Sequence, residues 1–497
     1  MKLKYLLKNI SYDICFNIKK NENNIIIEKI CLDSREVSKN SIFLCNNKTT
    51  LDSINSHFFI EKAINNGASV IFLNYYVFFI KKYNNVVFFI CNCLMENYSF
   101  FFLNFFSFYK NKINLLSVTG TNCKTTNCHY INRYINNLFF VSLLNSTIGI
   151  YKKEKKIFSS KMTTPNISFL FDFLFFFIKK ENFFLVLENS SHSIFLRKNY
   201  CLKFYTFSLT NIDSDHLDFH FDNKDYYFSK LNLELYIKRN GFLILNYKYK
   251  VNFKILNNLI FWEKTNNKKH DVFLENITDY YYYKKIIINI LGKKVFFLTK
   301  FYGLLNLDNL LSFISSILPF NYDEDILYKT INDILNIQGR FNRIYVNYFF
   351  NFPLIFIDFA HNLKSLFFFL KYVKLNFKKK IISLIGLGGQ RDFLKRNSFF
   401  KIIIKNSFYS IITSDSTRNE FIYSIFKDFL NNHYFSNNYC IILNRVTAIK
   451  KIIELSDLNS VILIIGRGHE NEINLDSNLL KFNDLEAVLS FLKKYYD

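Results

Sequence analysis

The chain has 497 residues, half of them hydrophobic, which is enough to bury several cores and excludes an intrinsically disordered protein. Its formal net charge is +24, but the Lys is spread along the chain without an Arg-rich tract or an aromatic-basic motif, which argues against a nucleic-acid binder; Phe 61 and Tyr 33 against Gly 12 and Pro 3 read as the drift of an AT-rich genome. Nine Cys lie scattered as the free thiols of a reducing compartment, no apolar run reaches the ~20 residues needed to span a bilayer, and the first residues (MKLKYLLKNISYD) lack the apolar core of a secretion signal, so a cytoplasmic protein without membrane insertion is expected.

Residues 1–110 alternate apolar runs with polar turns. Ile25–Ile30 and Ser41–Cys45 are predicted strands, Phe58–Asn66 a helix stopped at Gly67, and Ser69–Leu73 a further strand. Between them lies Leu32–Val37 (LDSREV), a polar turn.

A second unit opens at Leu115–Thr126 (LLSVTGTNCKTT). A buried strand, a tight turn and a helix starting at Lys-Thr is how a phosphate-binding loop is built: main-chain N–H groups and the helix dipole hold phosphate, Lys reaches the terminal phosphates and Thr ligates Mg²⁺. The general pattern G-x-x-x-x-G-K-[ST] is not met, because Val118 and Cys123 occupy its glycine positions. Taken alone, the loop is also open to being a polar turn that happens to carry Lys. Met162–Pro165 is a hydroxyl-rich turn. The strand Phe184–Leu187 ends in Glu188-Asn189-Ser190-Ser191-His192, and the strand Phe204–Leu209 ends in Thr210–His220, where Asp215, His216, Asp218 and His220 crowd together as a metal or phosphate site or a solvated loop. A helix over Tyr226–Lys238 carries Lys230. Strands at Phe242–Asn246 and Lys285–Leu291 follow, then a helix at Tyr302–Leu311 with Asn306 and Asn309 on one face.

From Ile337 the pattern restarts with Gly339-Arg340. Four apolar strands each run into a charged or Gly-rich loop: Leu354–Ile357 into DFAH, Ile381–Ile385 into GLGGQRD, Ile411–Thr413 into SDSTRNE and Val461–Ile465 into GRGHE. That is the pattern of a doubly wound parallel sheet with its site at the C-terminal strand ends.

The ordered set DSREV, VTGTNCKTT, TTP, ENSSH, DHLDFH, YYFSK, QGR, DFAHN, GLGGQRD, DSTR and GRGHE resembles the Mur ligase family over nearly the full chain. The resemblance implies an α/β protein of three domains: a small N-terminal domain for the UDP substrate (1–110), a central ATPase domain with a mostly parallel sheet (111–335) and a C-terminal Rossmann-like domain for the amino acid (336–497). It implies an ATP- and Mg²⁺-dependent ligase of peptidoglycan precursor synthesis. The substrates would be UDP-N-acetylmuramoyl-L-alanyl-D-glutamate and meso-diaminopimelate, joined through an acyl phosphate by a monomer. Leu32, Ser34, Thr163, Thr164, Ser190 and Lys198 would contact the UDP substrate. Gly120, Thr121, Asn122, Cys123, Lys124, Thr125 and Thr126 would hold ATP, with Asn306, Asn309 and Arg340 at the nucleotide side of the interdomain cleft. Thr125, Glu188, His216 and Lys230 would hold magnesium, Lys230 as a carbamate. Arg391, Asp415, Ser416, Thr417, Arg418, Gly466 and Glu470 would bind the amino acid, Arg418 pairing with the distal carboxylate that lysine lacks. Departures from the family pattern are Cys123 for the second loop Gly, Asn40 for a Gly after DSREV, and Leu196 and Lys198 beyond SSH. An L-lysine-adding ligase and a non-catalytic nucleotide-binding relic are the alternatives.

Overall fold

The computed structural model describes the chain except residues 9, 18–24, 46–55, 92–99, 102–103, 105–112, 161, 166–168, 171–172, 174–182, 197–198, 200–201, 214–219, 221, 253–257, 265–269, 280–283, 300–304, 321, 334–336, 345–351, 390–395, 431–436, 476–477 and 497. Three main sheets follow one another along the chain.

The first has strands β1 (Ile14–Phe16), β2 (Lys29–Cys31), β3 (Ser41–Leu44), β4 (Ala68–Leu73) and β5 (Val87–Ile90), ordered β1-β5-β4-β3-β2 and parallel except for β1. The strand expected over Ile25–Ile30 joins this sheet only from Lys29. Its first half pairs instead with the chain start: Leu3 N donates to Ile25 O at 2.9 Å and Ile27 N to Met1 O at 2.7 Å. The helix before β4 ends at Asn65, and Gly67 at φ +103° turns the chain; a Cβ there would lie 2.9 Å from Lys39 Cα.

The second sheet contains β6 (Ile113–Thr119), β7 (Val141–Ser146), β8 (Gly149–Lys152), β9 (Lys155–Phe158), β10 (Phe183–Glu188), β11 (Phe204–Leu209), β12 (Ile237–Asn246), β13 (Leu259–Glu263), β14 (Val272–Asp279), β15 (Lys284–Ile290) and β16 (Lys293–Thr299). Its order is β16-β15-β14-β13-β12-β11-β6-β10-β7-β8-β9, parallel from β14 through β7 and antiparallel at both edges. Alternation decides its packing. Leu185 and Leu187 of β10 face one core, while Phe184 and Val186 face another filled by Tyr130, Ile131, Tyr134 and Phe313 of two covering helices. Each such buried side chain stabilises by about 1.5–3 kcal/mol.

Two helices differ from expectation. The one read over Tyr226–Lys238 spans Asn223–Leu231, started by Asp222, whose carboxylate accepts from Asp225 N at 2.7 Å. It tightens into a 3₁₀ stretch at Asn232–Tyr236, and Ile237 already opens β12. The second helix runs Leu305–Ile317, past the expected end at Leu311, because Phe313, Ile314 and Ile317 complete its buried stripe.

The third sheet holds β17 (Asn342–Arg343), β18 (Leu354–Asp358), β19 (Lys380–Leu387), β20 (Tyr409–Ser414), β21 (Tyr439–Ile441) and β22 (Ser460–Ile465), ordered β17-β18-β22-β19-β20-β21 and parallel apart from β17. One face is covered by the helices Leu363–Phe377, Arg396–Asn406 and Ile422–Leu430, the other by Arg445–Glu454 and Asp484–Tyr496. This is the doubly wound arrangement expected. A hairpin of β23 (Glu472–Leu475) and β24 (Asn478–Lys481) follows β22. Among the described residues no helix is long and apolar enough to cross a membrane.

Candidate active site

The loop after β6 is held from beneath by the loop after β11. Thr121 N donates to Asn211 O at 2.9 Å, Asn122 N to Asn211 Oδ1 at 2.8 Å, and the Thr121 hydroxyl lies 2.8 Å from the Tyr226 hydroxyl. Gly120 needs its missing side chain, since a Cβ would fall 2.0 Å from Thr210 Oγ1. Cys123 does not have that freedom: it sits at φ +75°, in the left-handed region, immediately before the Lys124–Asn137 helix. Its thiol is pushed up to about 12 by burial, with Asp308 adding to the shift, so it stays protonated and adds no charge to the loop. Lys124 folds over the loop, its Nζ donating to Gly120 O and Thr121 O, both at 2.9 Å.

In the first turn of this helix, the Thr125 hydroxyl lies 3.0 Å from each oxygen of Glu188 at the end of β10. Glu188 is buried and also receives Thr147 N at 2.8 Å and the Thr147 hydroxyl at 2.9 Å. Thr147 has no motif around it, and sequence reasoning missed it. A hydroxyl and a carboxylate in contact are the hard oxygen donors that Mg²⁺ takes when phosphates supply its remaining ligands, so the set fits that ion. Lys230 is buried against the start of the loop, donating to Gly120 O at 3.1 Å, with its Nζ 5.0 Å from the Tyr226 ring centre. His216 lies outside the described residues. His220 from the same cluster is buried and pairs with Asp225 at 3.3 Å.

The turn Thr163–Pro165 meets the loop after β10. Thr163 Oγ1 is 3.2 Å from Thr147 Oγ1. Thr164 is buried; its hydroxyl donates to Glu188 O at 2.9 Å and accepts from Ser190 N at 2.9 Å. Ser190 caps the next helix, accepting from Ser193 N at 3.2 Å. Lys198 falls outside the described residues. Ser34 is buried and its carbonyl receives Asn66 Nδ2 at 2.9 Å; Leu32 packs half-buried on the first core. Asn40 adopts φ +62°, a left-handed position that Asn tolerates in place of Gly. Asn309 is buried under the Lys124 helix, where its carbonyl accepts from Asn127 Nδ2 at 3.3 Å. Asn306 lies in the helix Leu305–Ile317.

The third sheet closes the site from above. Arg340 Nη2 reaches Thr125 Oγ1 at 3.3 Å, and its guanidinium lies 4.5 Å over the Phe359 ring. Asn122 Oδ1 accepts from Asn362 Nδ2 at 2.6 Å and from the Ser365 hydroxyl at 2.9 Å, and Lys364 pairs with Asp213 at 2.5 Å. His469 also packs on Phe359, at 5.0 Å. Burial, with Arg340 and Lys156 adding to it, lowers His469 to about 3 and His129 to about 4, so both imidazoles are neutral beside two fixed cations.

The residues expected at the amino acid end the strands of the same sheet. Arg418 and Asn419 are consecutive left-handed residues at φ +53° and +84°, and Arg418 Nη1 donates to Gly389 O at 3.0 Å. Thr417 is buried and its N donates to Asn474 O at 2.8 Å. Ser416 Oγ accepts from Asn474 N at 3.2 Å. Asp415 pairs with Arg467 at 2.7 Å. Gly466, at φ +113°, lets the chain pass within 2.9 Å of Gly386 O at the position a Cβ would take. Glu470 stands half-buried, 3.3 Å from Arg467. Arg391 lies outside the described residues.

Residues 118–317 match the family model described as the Mur ligase middle domain. A relative from Wigglesworthia glossinidia brevipalpis, named UDP-N-acetylmuramoyl-L-alanyl-D-glutamate–2,6-diaminopimelate ligase, is 30% identical over 99% of this chain and 98% of its own length. A protein of the same name from Clostridium tetani is 29% identical over the whole of both chains. Among solved structures, one titled with that ligase name aligns at TM-score 0.67 and 21% identity over 97% of each chain. The MurF ligase of Thermotoga maritima in complex with ADP aligns at TM-score 0.64 and 14% identity over 95% of this chain and 98% of that one.

Proposed function

This chain belongs to the Mur ligase family, and from that premise we propose that it joins meso-diaminopimelate to UDP-N-acetylmuramoyl-L-alanyl-D-glutamate with ATP as the energy source. The observation that carries the reading is the convergence on Thr125: Glu188 of the central sheet and Arg340 of the C-terminal unit both meet its hydroxyl, at 3.0 and 3.3 Å. A site assembled from two domains suits a reaction whose intermediate must be kept from water.

The D-glutamyl side-chain carboxylate attacks the γ-phosphorus of ATP, giving an acyl phosphate and ADP. Lys124 leaves its two loop carbonyls for the phosphates, and Arg340 adds a second cation where negative charge develops. Magnesium, held by Thr125 and Glu188 together with His216, would supply further charge neutralisation there. Lys230 as a carbamate would add an anionic ligand; its buried nitrogen keeps one N–H for Gly120 O after modification. The acceptor amine then attacks the activated carbonyl, and phosphate leaves. Arg418 would select the acceptor by pairing with its distal carboxylate, and Glu470 by receiving an ammonium. We further propose that the enzyme works as a cytoplasmic monomer.

The test is phosphate release from ATP with the UDP-linked dipeptide and either diaminopimelate or L-lysine. Release that requires the dipeptide and diaminopimelate together is the expected result. Release with lysine alone would transfer the reading to the lysine-adding branch. The relic alternative rests on Cys123 at φ +75°; no release with either amino acid would establish it and overturn the ligase reading. Intact mass and a carbon-13 carbamate signal under labelled bicarbonate, both lost in Lys230→Arg, test the modification.

A further inference from the structure

Arg467 is a side chain to which the family resemblance gave no role. It is fully buried. Taking a guanidinium out of water is costly unless its charge is matched, so what surrounds it is informative. Its Nη1 donates to Asp415 Oδ1 at 2.7 Å and lies 3.3 Å from Glu470 Oε2 and 3.4 Å from Ser416 Oγ; its Nη2 donates to Glu472 O at 2.6 Å. Its Nε is buried with no hydrogen-bond partner among the described residues, an unmet donor that works against stability. One guanidinium thus joins the loop after β20, the loop after β22 and the start of β23.

We propose that Arg467 is the positioning residue of the amino-acid site, holding the Glu470 carboxylate in place for the acceptor's ammonium, with Asp415 serving as the anchor of Arg467 and not as a substrate ligand. This rests on the acceptor site assigned above. The chemistry supports it. Asp415 and Glu470 lie in the loops after β20 and β22 of one sheet, both within reach of the Arg467 guanidinium, and without a cation between them they would repel and one would take up a proton. Burial works to raise the Asp415 carboxyl, but Arg467 and then Arg445 outweigh it and hold it below the usual carboxylate range. Asp415 therefore stays ionised and already matched. Glu470 is half-buried and stands farther from Arg467, at 3.3 Å. Lysine in place of Arg467 would be a point charge without the fork that reaches both carboxylates and the Glu472 carbonyl.

The experiment uses the full-length enzyme and its Arg467→Lys, Arg467→Met and Asp415→Asn variants, with steady-state kinetics in each of the three substrates and a melting curve. The expected result is a KM for diaminopimelate raised about tenfold or more in Arg467→Met and Asp415→Asn and less in Arg467→Lys, with KM for ATP and for the UDP substrate within about twofold. Unchanged acceptor KM overturns the proposal. So does an equal rise in all three KM values with a lowered melting point in Arg467→Lys, the mark of a purely structural residue. Wild-type enzyme that uses lysine and not diaminopimelate would overturn the acceptor assignment only. The Arg467 comparison is then read on lysine KM, where a selective rise supports it and its absence overturns it.

Discussion

Replacing Cys123 by Gly removes a Cβ from a left-handed backbone position at φ +75°. Holding a non-Gly residue there costs about 1–2 kcal/mol. Glycine gives back about 0.4–1 kcal/mol through the freedom it adds to the unfolded chain. The strain released in the native loop therefore exceeds the entropy lost by about 1 kcal/mol. Cys123→Ala is the control, because it removes the same thiol and keeps the Cβ. In a domain of this size 1 kcal/mol corresponds to roughly 2–4 °C, so Cys123→Gly should melt about that much above Cys123→Ala by scanning fluorimetry. The relaxed loop should also bind ATP with a lower KM than wild type. If the Gly variant melts no higher than the Ala variant, the loop bears no strain at Cys123 and the reasoning fails.

Arg340→Ala should lower kcat about 10²–10³-fold, as loss of a preorganised cation at a transferring phosphoryl group does, and Arg340→Lys should recover only part of it; a change confined to KM for the amino acid would contradict the placement of Arg340 on Thr125. Glu188→Gln keeps the shape of the site but loses the ionised ligand, so half-maximal activity should need about tenfold or more added magnesium; an unchanged magnesium titration would remove Glu188 from the metal set. His129 and His469 have folded values of about 4 and about 3 against 6.5, so the unfolded chain binds more protons between those limits. Their contribution is present above about pH 6.5 and is lost as pH falls toward 4, and melting temperature should drop across that window; His129→Gln should flatten the drop, and an unchanged profile would show that His129 is not kept neutral.

The sequence was most legible where burial decides the structure. Phe204–Leu209 is legible to the residue because Phe204, Phe207 and Leu209 are buried in one core, and the four C-terminal strands are legible, with the loops that follow them, because their apolar side chains fill the cores on both faces of their sheet. It was least legible where an element's partner is remote. Ile25–Ile27 is apolar and extended, yet its hydrogen bonds go to Met1 and Leu3, which no local pattern signals. The helix carrying Lys230 was misjudged at both ends: the Asp222 cap lies before its apolar residues, and Ile237 is claimed by β12. In the site, Lys124, Thr125 and Glu188 stood out by type and position after a strand. Thr147 and Arg467 did not, since a lone Thr in a turn and an Arg between glycines carry no chemistry until the fold brings their carboxylate partners to them.

The contact of Asn122 with Asn362 and Ser365 makes the shape of the loop after β6 and the placement of the C-terminal unit a single variable. Reciprocity follows as a thermodynamic requirement: whatever free energy ATP gains from the docked arrangement, docking gains from ATP. A substitution at Ser365, which belongs to the C-terminal sheet's helix, should therefore register first as altered nucleotide affinity. Nucleotide affinity measured with and without the amino acid then reports how far that coupling extends across the sheet.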